Sequence, residues 1–191
     1  LVIAAMDDSH PMVRTNAVRL AEPWINDNNV FDKVKSLGED SNFYVQRQVA
    51  LSTGIRQGPQ AIFFLLDQLG AKGNAKYRSA AMAAFMGREH EALDLISLNA
   101  ALKDDTPLQR KTLAAIVNQI LSEKRASANT ALLDFATKQA SQQTWQTAVV
   151  VEAILAKQKG LQLRLTRRPS RYQELFTSGN QEQYDSTVAL N

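Results

Sequence analysis

The amino-acid sequence predicts an all-α solenoid of stacked helix pairs, and three observations support this prediction. The first is a period of about 32 residues through most of the chain, within the range that is typical of repeat proteins. The second is a further set of apolar stripes that falls between the periodic positions. The third is that no stretch alternates apolar and polar residues for long enough to predict a strand. The period is carried by Val13-Arg14, Val45-Gln46, Tyr77-Arg78 and Gln109-Arg110.

The periodic positions describe one face of a helix in each repeat. Steps of three and four residues join the dipeptides to two further apolar sets, as expected for a face of an α-helix. A fixed period in this range is typical of units that are too small to bury their apolar faces alone and therefore stack. The two sets are Ala17, Val49, Ala81, Leu113 and Trp145, and, one turn later, Leu20, Ser52, Ala84, Ile116 and Ala148. We expect the first set to be buried in equivalent places.

A second set of helices lies between these, and turn residues separate the two sets. Its apolar stripes include Val30 with Val34, and Ile62 with Leu65. Glycines fall at the joints, where helix ends favour a residue that tolerates positive φ. Polar residues before the periodic helices supply N-caps, and Pro107 suits a first turn. The sequence thus predicts four to five helix pairs, over about residues 1–24, 28–54, 58–87, 90–121 and 126–158.

The composition of the chain excludes several classes of function. The net charge is +3. Residues 1–160 hold 18 Lys or Arg against 16 Asp or Glu, and residues 161–191 hold four against three, so neither part of the chain is strongly basic. An electrostatic partner such as DNA is therefore not required. Cysteine is absent, which excludes disulfides, thiolate metal sites and covalently attached c-type haem within these residues. No apolar run approaches the length that spans a bilayer, so we expect no membrane insertion.

The periodic segments resemble the HEAT-repeat signature, in which Asp is followed by Val-Arg and then by Ala and Leu. Residues 8–20 carry all of these landmarks, and residues 40–51 repeat them with Gln46 in place of Arg. Asp104 and Arg110 restore the outer two, whereas Lys72 with Tyr77-Arg78 keeps only the second half. The resemblance covers about residues 1–158. It implies a right-handed α-solenoid of four to five HEAT-like helix pairs, and says little about function.

In HEAT proteins the Val-Arg helix lines the inner, concave face, and Asp and Arg form a hydrogen-bonded ladder between neighbouring repeats. The resemblance therefore implies a structural ladder that includes Asp8, Asp40 and Asp104. It also makes the inner helices a candidate binding surface for phosphate, carboxylate or a peptide. The candidate residues for binding on this concave face are Arg14, Gln46, Arg78 and Arg110. Arg47 lies off this register, which favours a solvated surface role for it.

A second resemblance concerns the surroundings of this region. The order of the elements, with Trp145 in the last helix, resembles the HEAT-like region of large bacterial proteins described as membrane-bound dehydrogenase-like or putative haem-binding. Those proteins carry a β-propeller upstream and a c-type cytochrome domain downstream. Phe176-Thr177-Ser178-Gly179, followed by Tyr184, is similar to the leader that precedes their haem-attaching Cys-x-x-Cys-His motif. The resemblance implies a fragment of a larger envelope protein, with a cytochrome domain after Asn191.

Few residues suggest catalysis or metal binding. His10 precedes Pro11 in a turn, and His90 lies between two glutamates at a helix start, so neither has the partners of a general base. The acidic pairs Asp7-Asp8 and Asp104-Asp105 fall just before helices, where capping explains them. No phosphate-binding loop, nucleophile elbow or zinc-type spacing occurs. We therefore predict no catalytic residue, no metal ligand and no cofactor in this chain.

The end of the chain departs from the repeat. We expect residues 1–160 to be the HEAT-like domain, residues 161–177 a capping segment and residues 178–191 a linker toward a further domain. Leu161, Leu163, Leu165, Leu175 and Phe176 are the apolar side chains expected to cover the last helix pair. Arginines at 164, 167, 168 and 171 form a short basic run, which favours a solvated linker over a nucleic-acid contact.

These observations favour a scaffold or spacer module without enzymatic activity, which mediates contacts between domains or proteins. A groove on the concave face that binds a protein or peptide is the alternative. Nucleic-acid binding, as in HEAT-like DNA-repair glycosylases, is a third hypothesis, against which the near-neutral charge argues. The second resemblance implies a periplasmic or cell-envelope location. The expected partners are therefore proteins, or neighbouring domains of the same polypeptide, and not nucleic acid.

Overall fold

A computed structural model describes residues 1–71, 75–96, 98, 102–140, 145–156, 163–167 and 188–190, and almost all of them lie in helices or the turns between them. The helices, in chain order, are α1 (Val2–Ala5), α2 (Pro11–Leu20), α3 (Asn28–Ser36), α4 (Phe43–Thr53), α5 (Pro59–Ala71), α6 (Ala75–Ala84), α7 (Glu89–Ile96), α8 (Pro107–Glu123), α9 (Ala126–Ala140) and α10 (Trp145–Ala156). Short 3₁₀ turns follow α2 and α3. The all-α fold class of stacked helix pairs, predicted from the sequence, is confirmed.

Four of these helices begin at equal intervals along the chain, at Pro11, Phe43, Ala75 and Pro107. The residues before three of them cap the helix in the same way. Backbone N–H groups of the first turn donate to Nδ1 of His10, Oδ1 of Asn42 and Oγ1 of Thr106. These bonds satisfy donors that a helix start leaves without partners. The period is therefore set locally, by where each helix can begin.

The first compact unit comprises Leu1–Arg88 with Leu98–Lys103, and helices α1 to α6 form it. Within each helix pair the first helix packs on the second, and α4 also contacts both α2 and α6. Hydrogen bonds join the starts of α2 and α4 and also their ends, so these two helices run parallel. The register residues Ala17, Val49 and Ala81, which lie in α2, α4 and α6, are buried, as predicted.

The second unit comprises Glu89–Ser97 with Asp104–Asn191 and contains α7 to α10. Here α7 packs on α9, and α8 packs on α10, so first helices contact first helices and second helices contact second helices. Leu113 and Ile116 are fully buried in this core, as the register predicts.

The periodic register fails in the last pair, which corrects the prediction for Trp145. Trp145 is only half-buried and Ala148 is exposed. Instead, Val150, Ala153 and Ile154 are buried, and they follow the buried residues Leu113, Ile116 and Val117 of α8 at one constant, longer interval. The shift arises because α8 and α9 have 17 and 15 residues, longer than the helices of the first unit. Leu20, of the second periodic set, is exposed.

The segment after the helices contains two short strands that the sequence did not predict. β1 (Leu163–Leu165) and β2 (Val188–Leu190) pair in parallel, with Leu163 opposite Val188 and Leu165 opposite Leu190. Residues 188–190 therefore form part of a sheet, where the sequence predicts linker. Strands this short are too brief for an alternating pattern to be recognised. Leu161, Leu175 and Phe176 lie outside the described residues.

β1 packs on α9, within the segment expected to cap the last helix pair. Leu165 is fully buried, and Asn129 Nδ2 donates to the Arg164 carbonyl oxygen over 3.1 Å. Thr166 N donates to Thr130 Oγ1 over 2.9 Å, and Arg167 Nη2 donates to Asp134 Oδ2 over 2.7 Å. Residues 164–167 are thus held on α9 by one buried side chain and several hydrogen bonds.

Candidate functional site

The side chain of Arg14 joins the first two helix pairs. Its Nε and Nη2 donate to Oδ2 and Oδ1 of Asp40, at 2.7 and 2.9 Å, in a two-point contact between guanidinium and carboxylate. Both side chains are largely buried, with 14% and 6% of their surfaces exposed. Hydrogen bonding to Arg14 holds the pKa of the Asp40 carboxyl below its usual range, and the same bond raises the pKa of Arg14.

Arg14 also binds the turn before its own helix. Its Nη1 donates to the carbonyl oxygens of Asp8 and Ser9, at 2.8 and 3.0 Å. The turn itself is closed by Asp8, whose Oδ1 accepts from His10 N, and Asp40 Oδ1 accepts in the same way from Asn42 N. Arg14 therefore directs four hydrogen bonds at acceptors within the protein, which leaves its guanidinium little capacity for a ligand.

Gln46 occupies the position of Arg14 in the next repeat and reproduces one of its four hydrogen bonds. Its Nε2 donates to the Asp40 carbonyl oxygen over 2.6 Å, as Arg14 does to the carbonyl of Asp8. The amide is too short to reach a further repeat as well. Lys72, the residue in register with Asp8 and Asp40, lies outside the described residues.

In the second unit, Arg110 pairs with Asp105 rather than with Asp104. Nε and Nη2 of Arg110 donate to the two carboxylate oxygens of Asp105, at 2.5 and 2.9 Å, and both side chains are about half exposed. This hydrogen bonding lowers the pKa of Asp105 and raises that of Arg110. Asp104 contributes its backbone carbonyl, which accepts from Thr106 N, and its side chain is exposed. The arginine therefore holds the turn before its own helix.

Arg78, the remaining candidate, is half-buried in α6. Its Nε is buried without a hydrogen-bond acceptor among the described residues. The structure thus places Arg14, Gln46 and Arg110 on internal acceptors and brings together Arg14, Asp8 and Asp40. Whether any of the four binds a ligand stays a prediction.

A second row of arginines holds the first unit together, and the sequence analysis missed it. Arg56 is buried; its Nη1 donates to the Ile25 carbonyl oxygen and its Nη2 to Asn28 Oδ1, at 2.8 and 2.7 Å. Its guanidinium also lies 4.2 Å from the ring centre of Phe31, close enough for a cation–π contact. Arg88, one period later, donates to the carbonyl oxygens of Arg56 and Gly58. The interval between Arg56 and Arg88 equals the repeat period, and this recurrence is the feature of the sequence from which the pair could have been recognised.

A similar contact occurs in the second unit, between Arg125 and Glu89. Arg125 Nη2 lies 3.4 Å from Oε2 of Glu89, whose side chain is fully buried, and Arg125 also pairs with Glu123. Burial of a carboxylate is costly unless a cation or hydrogen bonds compensate it. The contact therefore links the start of α7 to the turn between α8 and α9.

Metal-binding side chains do not cluster among the described residues. No group of three or more His, Asp or Glu side chains that could hold a metal ion occurs among them. His10 accepts a hydrogen bond from Met12 N at the start of α2, which is a capping role. His90 is half-buried, in the first turn of α7. Within the described part of the chain, no helix is long and apolar enough to cross a bilayer.

Two exposed apolar surfaces occur among the described residues of the first unit. One is a cavity of about 270 Å³ beside α1, lined by Leu1, Val2, Ile3, Ala21, Trp24 and Val30. The other lies on the second helices of the pairs, where Met12 and Leu20 of α2 and Tyr44 of α4 are each about half exposed or more. Contiguous exposed apolar patches are typical of surfaces that bind other proteins.

Comparison with known proteins supports a HEAT-repeat region in the first unit. A family model described as HEAT repeats matches residues 1–86, which include α1 to α6. No curated protein and no solved structure matches the chain.

Proposed function

We propose that this chain is a scaffold without enzymatic activity, which mediates contacts between proteins or between domains. HEAT repeats generally serve as scaffolds for protein interactions, and residues 1–86 match that family. The observation that carries the proposal is that polar side chains of one repeat form hydrogen bonds to the next repeat. Arg14, Asp40 and Arg56 direct their polar atoms at neighbouring repeats. Such bonds connect neighbouring repeats to one another, which supports a scaffold role.

In its finer form, the proposal places the scaffold in a larger bacterial envelope protein, as a spacer between neighbouring domains. The support is the second resemblance, carried by Trp145 and by Phe176-Thr177-Ser178-Gly179. A dehydrogenase-like or haem-binding parent protein and a periplasmic location belong to this form. The parent protein's redox chemistry would then lie outside residues 1–191.

The test of the finer form is the complete reading frame that encodes these residues. We expect a secretory signal peptide near its start and a Cys-x-x-Cys-His motif after the helical repeats. If both were absent, the envelope form would be wrong, while the general scaffold proposal would stand.

The general proposal is tested by cross-linking the full-length protein in its host, followed by mass spectrometry. Exposed lysines such as Lys111 and Lys138 would report contacts around the helices. We expect cross-links from residues 1–191 to other domains or other proteins. Cross-links confined to residues 1–191 would contradict a scaffold role.

A second candidate function is a peptide-binding surface on the second helices of the first unit. The exposed side chains of Met12, Leu20 and Tyr44 favour it, since they are apolar and unburied on neighbouring helices. It is compatible with the scaffold proposal, because a scaffold needs at least one surface that recognises a partner.

A further inference from the structure

The solvent-facing side of α2 and α4 forms one continuous surface, which we call the cationic helix face. Its residues are Met12, Asn16, Arg19 and Leu20 of α2 with Tyr44 and Arg47 of α4. They recur at steps of three or four along each helix and so point the same way. Helices α2 and α4 run parallel and start one period apart. Met12 and Tyr44 therefore occupy equivalent positions on neighbouring helices, and so do Thr15 and Arg47.

The charge on this face has one sign. Helices α2, α4 and α6 contain no Asp or Glu. Arg19 and Arg47 are exposed, and neither makes an ion pair among the described residues, in contrast to Arg14. Glu22 borders the face after α2 and keeps its negative charge; its Oε1 points toward α4, where it accepts hydrogen bonds from the neutral side chains of Gln48 and Ser52. An acidic partner would therefore meet two exposed arginines that form no ion pair among the described residues.

Apolar side chains stand between these arginines. The exposed fractions are 49% for Met12, 63% for Leu20 and 62% for Tyr44. The Tyr44 ring lies edge-on to the Phe43 ring, with ring centres 5.8 Å apart. Tyr and Arg are over-represented among residues that contribute most to binding at protein interfaces, and Met adapts to varied apolar partners.

We propose that the cationic helix face binds a peptide segment of another protein that combines carboxylate side chains with apolar anchors. The inference rests on the proposed scaffold function and specifies its partner. Carboxylates would pair with Arg19 and Arg47 through two-point hydrogen bonds, and apolar side chains would cover Met12, Leu20 and Tyr44. Two arginines neutralise too few phosphates for a nucleic-acid site, and exposed apolar side chains would gain nothing from a phosphate backbone.

The test is selection of a random library of 16-residue peptides, displayed on phage, against the purified 191-residue protein. We expect enriched peptides to carry several Asp or Glu together with Leu, Phe or Trp. The consensus peptide is then synthesised with a fluorescent label, and its Kd is measured by anisotropy. The double variant R19E/R47E should weaken binding at least tenfold, and M12A/Y44A about fivefold. Raising the salt concentration from 0.05 to 0.3 M should weaken binding to the wild-type protein.

The matched control is K111E/K138E, which changes the net charge equally at exposed positions of α8 and α9 and should alter Kd less than twofold. R19Q/R47Q replaces R19E/R47E if charge reversal lowers the helix content. Enrichment of basic or uncharged peptides, or acidic peptides that bind R19E/R47E normally, would overturn the inference. So would tighter binding of a 20-base-pair DNA duplex, or no enrichment. In any of those cases, cross-links to partners elsewhere would leave the scaffold proposal intact.

Discussion

At the scale of single residues, arginine is the side chain that connects one repeat to the next. Arg14, Arg56 and Arg88 each donate to acceptors about one repeat away in sequence, either a carboxylate or backbone carbonyl oxygens. A guanidinium offers five donors in a rigid plane at the end of a long chain, so one side chain can satisfy acceptors in two repeats. The Gln46 side chain also carries N–H donors, but it is too short to reach another repeat, so it bonds only to the turn before its own helix.

The first prediction compares Asp40→Asn with Asp105→Asn at several pH values. The Asp40 pair is largely buried, so its loss should lower the free energy of unfolding by about 1–3 kcal/mol at pH 7. The Asp105 pair is about half exposed, and its loss should have little effect. Urea denaturation followed by circular dichroism measures both.

The pH dependence of the Asp40 effect follows from its lowered pKa. The carboxylate stabilises the folded state fully above the unfolded pKa of about 3.9, and this stabilisation is lost as pH falls through the lower folded value. The difference between wild type and Asp40→Asn should therefore be constant from pH 7 to about pH 5 and shrink below pH 4. A difference that grew on acidification would contradict the assignment.

At the scale of elements, the helices of the first unit approach closely where a side chain is missing. Gly54 ends α4, and a Cβ built there would lie 2.7 Å from the carbonyl oxygen and 2.8 Å from the Cα of Ala84, at the end of α6. These contacts involve backbone atoms, which cannot rotate away. The ends of α4 and α6 are thus held at a distance that only glycine allows.

Gly54→Ala should therefore destabilise the first unit, although alanine is the better helix former. We expect a loss of about 1–3 kcal/mol, because the backbone of α6 must shift to admit the methyl group. Ala83→Ser is the control, since it adds one atom at an exposed position of α6 and should change little. Thermal unfolding monitored at 222 nm compares the two, and an unchanged midpoint for Gly54→Ala would refute the close approach.

In the second unit, the contact of β1 with α9 gives a prediction about the capping segment. Leu165→Ala should lower stability by about 2–4 kcal/mol, because the side chain is fully buried and its removal leaves a cavity. Arg164→Ala is the control: its side chain is exposed, and its bond to Asn129 is made by the backbone carbonyl. Equal effects of both substitutions on chemical denaturation would mean that residues 164–167 are not packed on α9 in solution.

At the scale of the whole molecule, the helices of the two compact units pack in the same order but differ in length. Both stack second helices on second helices, α4 on α2 and α6 in the first unit and α10 on α8 in the second. The interval between equivalent buried residues is longer in the second unit because α8 and α9 are longer. A repeat architecture tolerates such changes, since each repeat contacts only its neighbours.

For the chain as a whole, we predict that residues 1–191 bind no haem, metal or nucleotide cofactor. The described residues contain no cluster of metal-binding side chains, and the sequence contains no cysteine. An absorption spectrum from 250 to 700 nm and an elemental scan of the purified protein measure this. A Soret band, or metal in a one-to-one ratio, would show the prediction to be wrong.

The sequence alone determined the class of fold, the starts of the repeated helices and most of the buried face. These features are local and periodic: His10, Asn42 and Thr106 cap helices from the adjacent residue, and Ala17 and Val49 recur with the period. Arg47 lies off the register and is exposed, in line with the solvated surface role expected for it.

Only the tertiary structure decided which acceptor each arginine uses, where the register changes and how residues 163–165 pair. Arg14 reaches Asp40 of the next repeat, whereas Arg110 turns back to Asp105, although both occupy the same position in the period. The pairing of β1 with β2 joins segments that are distant in sequence. A period records which face of a helix is buried. The partner of a long polar side chain, or of a short strand, depends instead on distances that are fixed only when the helices have packed.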